Sequence, residues 1–171
     1  MDRVDQILNQ WETHHQHIDP SPMAQIGRLT RVARILDREL KKPFAAYGLQ
    51  FSEFDILATL RRSGPPYRLT GAKLMESTMV TSGAITHRVD RLLAKGLVTR
   101  EDDPSNRRFV LITLTDEGKD IVEESLNAHL RNEERLLASL DHNQRQQLAD
   151  LLRRLLIDWG DVPSSPLTAT D

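Results

Sequence analysis

The chain has 171 residues, 39% of them apolar and 28% charged, with a formal net charge of −2. That suffices for one domain with a substantial core, or for a compact domain with helical arms, and excludes two large domains. No cysteine is present, which removes disulfides, thiolate catalysis, cysteine zinc sites and thiol redox sensing together.

The polar first residues, with Asp2, Asp5, Glu12 and Asp19, do not read as a secretory leader, and no apolar run approaches the roughly 18 residues of a membrane span. A cytoplasmic location and no membrane partner are expected. Val4, Ile7, Leu8 and Trp11 recur at three- and four-residue spacing and predict a short amphipathic helix, ended by DPSPM at 19–23. Ser21 before Pro22 reads as an N-cap with proline at the first helical position. It opens a second helix to about Tyr47, with Leu29, Val32, Leu36 and Leu40 inward and Gly48 as its stop. Ser52 reads as the cap of a third helix, whose Phe51, Phe54, Leu57 and Leu60 form a buried stripe until RRSGPPYR breaks it. TGAKLMES at 70–77 predicts a helix of about two turns. Thr81 then caps a longer helix from Ser82 to about Lys95, ending at Gly96, which is helix-turn-helix spacing. LVTR at 97–100 and FVLITL at 109–114 are β-rich runs joined by EDDPSNRR, whose Asp-Pro and Asn supply turn chemistry. Thr115 caps a helix to about Ser139, and Asp141 with Gln144 fits a capping box for a last helix reaching Trp159.

This order describes a mainly α fold with a small β-hairpin, a winged helix-turn-helix flanked by N- and C-terminal dimerisation helices. The expected divisions are 1–47 for an extra helix and a dimerisation helix, 48–115 for the winged module, 116–160 for the C-terminal dimerisation helices, and 161–171 for a disordered tail. Apolar stripes on 24–47 and 116–158 exceed what the winged module can cover. A second copy of the chain is the expected partner, in a two-fold homodimer.

Charge is unevenly spread. Residues 24–42 carry Arg28, Arg31, Arg34, Arg38, Lys41 and Lys42 against Asp37 and Glu39, residues 81–100 carry Arg88, Arg91, Lys95 and Arg100 against Asp90, and the acid gathers in 116–158. Such a basic middle suits a phosphate-facing surface. In the 82–95 helix Ile85, Val89, Leu92 and Leu93 centre the buried side, and Gly83, His87, Asp90 and Arg91 lie opposite. Ser82, Thr86 and His87 are then set for base edges or phosphates, with Arg91 beside them. Any solvated helix face can carry such residues. Arg107 and Arg108 add weight at the end of the hairpin loop, where long cations reach an adjacent minor groove and its phosphates. Asp102 or Asp103 is expected to pair with an arginine and brace the wing.

The stretch SGAITHRVDRLLAKGLVTREDDPSNRRFVLITLTDEG resembles the MarR family of transcriptional regulators. The match rests on its Gly-Leu-Val strand start, its Asp-Pro-x-x-Arg-Arg wing and its Leu-Thr-x-x-Gly helix entry, and the likeness extends over about residues 24–158. It departs at Asn106, where the family commonly has Asp. The resemblance implies a homodimer on a pseudo-palindromic operator in double-stranded DNA, usually repressing a nearby gene and released by a small ligand or by oxidation. Without cysteine the thiol route is closed, leaving a small-molecule effector.

The additional helix at 1–18 is similar to that of the urate-responsive, PecS-like branch. Its ligand set, carried over, implies Trp11, Asp55, Arg88 and Arg100 for urate or another aromatic anion. Trp11 would stack, the arginines would offer forked donors and Asp55 would accept from ring N–H. Each also has a plainer role: Trp11 in packing, Asp55 in a helix-start box after Ser52, and Arg100 in bracing the wing. Arg88 lies beside the apolar face of its helix and is expected to pair with Asp55; Asp90 either repels wrong DNA or pairs with Arg91. Phenolic acids are the alternative effectors, and a metal-responsive regulator using His14, His15 and His17 is a rival reading. No cofactor is implied, and the absence of a Gly-x-Ser-x-Gly elbow, a phosphate loop and His-Glu-x-x-His argues against an enzyme.

Overall fold

The computed structural model describes residues 1–78, 85–104, 106 and 109–162, and the chain divides into two compact units, Met1–Lys42 and Pro43–Asp171.

In the first unit, α1 (Arg3–His14) opens with a capping box between Asp2 and Asp5. Arg28 of α2 (Ser21–Glu39) reaches both carboxylates, at 2.9 Å from Asp2 and 2.5 Å from Asp5. The two helices approach closely because Gly27 faces Val4, whose Cγ1 would lie 3.4 Å from any Cβ at that position. Two expectations about α2 are corrected. Its N-cap is Pro20 rather than Ser21, because Asp19 folds back to accept from both the N–H and the hydroxyl of Ser21, an Asx turn that does the capping one step earlier. The helix ends at Glu39, and Lys42–Tyr47 is a separate 3-10 turn. Pro43 has no N–H to continue the ladder and disfavours helical backbone before it.

The second unit is built on a three-stranded antiparallel sheet in the order β1-β3-β2, from β1 (Arg68–Thr70), β2 (Val98–Asp102) and β3 (Val110–Leu114). The expected hairpin is therefore one edge of a larger sheet, in which Leu69 sits opposite Ile112 and Val98 opposite Leu114. Helix α3 (Phe51–Arg62) is buried on nearly every side, through Glu53, Phe54, Asp55, Ile56, Leu57, Thr59 and Leu60. Its capping box runs from Gln50 to Glu53 and not from Ser52 to Asp55, so Ser52 lies inside the helix. Thr70 ends β1 and caps α4 (Gly71–Ser77) by accepting the Lys73 N–H. Helix α5 (Ile85–Ala94) stops before Gly96, whose φ of +71° favours glycine. Thr115 caps α6 (Asp116–Leu136), and the Asp141–Gln144 box caps α7 (His142–Asp158). The core of this unit joins Phe44, Ile56, Leu57, Leu60, Leu74, Leu92 and Val122. No residue of α7 is buried.

Candidate nucleic-acid interface

The apolar spacing of α5 turns Ile85, Val89 and Leu92 into the core and leaves Thr86, His87 and Asp90 exposed. The pair expected to face DNA from the described part of this helix, Thr86 and His87, thus lies in solvent. Ser82, Arg107 and Arg108, together with the Thr81 cap, fall outside the described residues. The hairpin turn itself is closed by backbone bonds from Asp103 N–H to Phe109 O, Asn106 N–H to Asp103 O and Phe109 N–H to Asn106 O.

Arg91 has a different neighbour from the one its outward position suggests. Its Nε lies 2.9 Å from Oε1 of Glu53, a residue with no exposed surface. Oε1 has no well-aligned hydrogen bond, so charge rather than a directed bond joins the two. The other oxygen of Glu53 takes the Gln50 N–H at 2.7 Å and Lys95 Nζ at 2.9 Å, and Lys95 also donates to the Gly48 carbonyl. Burial pushes the Glu53 carboxyl up, but the Lys95 hydrogen bond, the Gln50 N–H and the charges of Lys95 and Arg91 outweigh it and hold the group below its ordinary 4.5. Glu53 escaped the sequence reading because its cations lie far along the chain. The available signals were its place three residues after Gln50 and its charge inside an apolar helix.

Arg100 on β2 pairs with Asp90 on α5 at 2.8 Å. Asp90 was expected to repel DNA or to pair with Arg91; it ties the wing to the helix instead. Arg100 also lines a cleft of about 390 Å³ with Met75, Thr86, Val89, Val110 and Ile112. The expected Asp55–Arg88 ion pair is not formed. Asp55 is 5% exposed, while Arg88 is half-buried with its Nη1 sealed from solvent and without a hydrogen-bond partner among the described residues. In the first unit, half-buried Trp11 packs against His15 at 5.0 Å between ring centroids. His15 and His17 stand edge to face at 6.2 Å, and among the described residues no three His, Cys, Asp or Glu side chains gather as they would around a metal ion. No described helix is long and apolar enough to cross a membrane.

Residues 47–108 match the MarR family. The HTH-type transcriptional regulator PecS of Dickeya dadantii is 38% identical over 152 residues, covering 89% of this chain and 92% of that one. Among solved structures, Sco5413, a MarR family transcriptional regulator from Streptomyces coelicolor, has a TM-score of 0.72 at 28% identity, covering 85% of this chain and 100% of that one. Sco3205, a MarR family transcriptional regulator from the same organism crystallised in complex with DNA, has a TM-score of 0.74 at 24% identity, over 86% of this chain and 95% of that one.

Proposed function

Because the chain belongs to the MarR family of winged helix-turn-helix transcriptional regulators, and is a DNA-binding regulator rather than an enzyme, we propose that it acts as a homodimeric repressor on a pseudo-palindromic operator. Release follows when an anionic aromatic ligand, urate first, binds through Asp55, Arg88 and Arg100. The observation that carries the ligand reading is the sealed Nη1 of Arg88, without a hydrogen-bond partner among the described residues. A buried donor without an acceptor costs about 1–3 kcal/mol, and an anion with planar acceptors relieves that cost. Arg88 sits on the same helix as Thr86 and His87, so a ligand that captures it acts on the DNA-facing side chains directly. Thr86 and His87, with Ser82, read bases in this scheme, and Arg107 and Arg108 hold phosphates.

Titration calorimetry with urate, paired with anisotropy of labelled DNA, tests the reading. Arg88→Ala should abolish urate binding and urate-driven release, while DNA affinity without ligand falls only a few-fold. Wild-type protein that binds no urate would retire the purine and leave phenolic acids as the next ligands to titrate. Release that persists in Arg88→Ala would remove this arginine from the site.

A further inference from the structure

Three segment ends meet at one buried carboxylate. Glu53 closes the first turn of α3 through the Gln50 N–H, and Lys95, one residue past the end of α5, bonds both Glu53 and the carbonyl of Gly48 just ahead of α3. Arg91, one turn earlier on the same face of α5, lies against the other oxygen. The C-terminal end of α5 is thus fixed to the rigid core helix, while Thr86 and His87 project from its opposite end. A helix anchored at one end converts a small change of angle there into a displacement of about 1.5 Å per residue times that angle further along. Thr86 and His87 stand nine and eight residues before Lys95, so the anchor sets where they fall.

We propose that Glu53, acting through Arg91 and Lys95, is a positioning residue for DNA recognition: it fixes the angle of α5 and so the discrimination between sequences. The proposal rests on α5 being the DNA-reading helix. It also gives Arg91 a part beside a phosphate contact, since its Nε faces a carboxylate that solvent does not reach while the side chain itself stays partly exposed.

The test compares affinity for a duplex that the wild-type protein selects from a random-sequence pool with affinity for a scrambled duplex. Glu53→Gln keeps an oxygen for the Gln50 N–H but drops the charge. It should lower affinity for the selected duplex about tenfold and leave the scrambled duplex as tight or tighter, because the released cations remain near phosphate. Lys95→Met should likewise reduce discrimination, with affinity for the selected duplex falling more than that for the scrambled one, Lys95→Arg should retain the discrimination, and the double variant Glu53→Gln/Lys95→Met should discriminate no worse than the weaker single one. Lys95 is partly exposed, so its variants decide the matter if Glu53→Gln fails to fold by circular dichroism. Equal weakening on both duplexes, in step with the melting temperature, would reduce the cluster to a stability element and overturn the proposal. So would unchanged discrimination in both variants. Thr86→Ala/His87→Ala separates the two ideas: if it leaves discrimination intact, α5 is not the reading helix and the proposal falls with that assignment. If it abolishes discrimination while Lys95→Met does not, only the proposal falls.

Discussion

Gly118 lies in the first turn of α6 with no room for a side chain. A Cβ there would collide with the carbonyl oxygen of Leu97 and lie 2.9 Å from Leu114 Cδ1, so α6 rests directly on the backbone entering β2. Gly118→Ala gains about 1 kcal/mol of helix propensity, but overpacking against a backbone atom that cannot rotate away costs about 3 kcal/mol. A net loss of about 2 kcal/mol is expected, seen as a melting temperature lower by about 5 °C at fixed protein concentration; an unchanged value would mean that α6 slides to make room. The glycine was visible in the sequence only as part of Leu-Thr-x-x-Gly, because its reason is a carbonyl two elements away. Arg88 and Asp90 show the same limit. Their positions around α5 followed from 100° per residue, whereas their partners did not, since Arg100 and the sealed environment of Nη1 come from tertiary packing.

At the scale of elements, local chemistry was legible in part: Ser21 and Ser52 do not cap α2 and α3, whose N-caps are Pro20 and Gln50. Thr115 and Asp141 cap their helices through their own side chains as expected, each signal lying within four residues of the group it satisfies, whereas Thr70, read as part of the 70–77 helix, is the cap of α4. Strand β1 was not legible, because three residues carry no periodicity and its pairing with β3 spans more than forty positions. The early end of α2 was written in Lys-Lys-Pro-Phe, where Pro43 outweighs a continuing apolar stripe. The hairpin of β2 and β3 was found as strands and turn, and its function turns on Arg107 and Arg108. Replacing both with Ala should weaken binding to selected and scrambled DNA alike. It should also flatten the dependence of log affinity on log salt by about one to two units per wing, if both neutralise phosphates. A slope unchanged between low and high salt would take the wing off the phosphates.

Across the whole molecule, apolar surface is the unbalanced quantity. Helix α7 runs for 17 residues without a buried side chain, with Leu151 at 59% and Trp159 just beyond it at 66% exposure, and α2 independently exposes Ile26 at 55%. An amphipathic helix gains most of its stability by burying its apolar stripe, and an obligate dimer interface resembles a core cut in half. We therefore expect the wild-type protein to sediment as a dimer. A Leu151→Glu/Ile157→Glu variant of α7 should shift it to monomer, because each carboxylate would be desolvated at the interface without a cation. Both positions are exposed within one chain, so the substitutions leave the core of Pro43–Asp171 intact, and far-ultraviolet circular dichroism should change little. The monomer should still bind scrambled DNA at low salt but lose about a hundredfold in affinity for a two-half-site duplex, since the second half-site is then no longer held at high effective concentration. A wild-type protein that sediments as a folded monomer would remove the dimer and its palindromic operator together. A variant that stays dimeric would move the interface off α7 and onto the apolar face of α2.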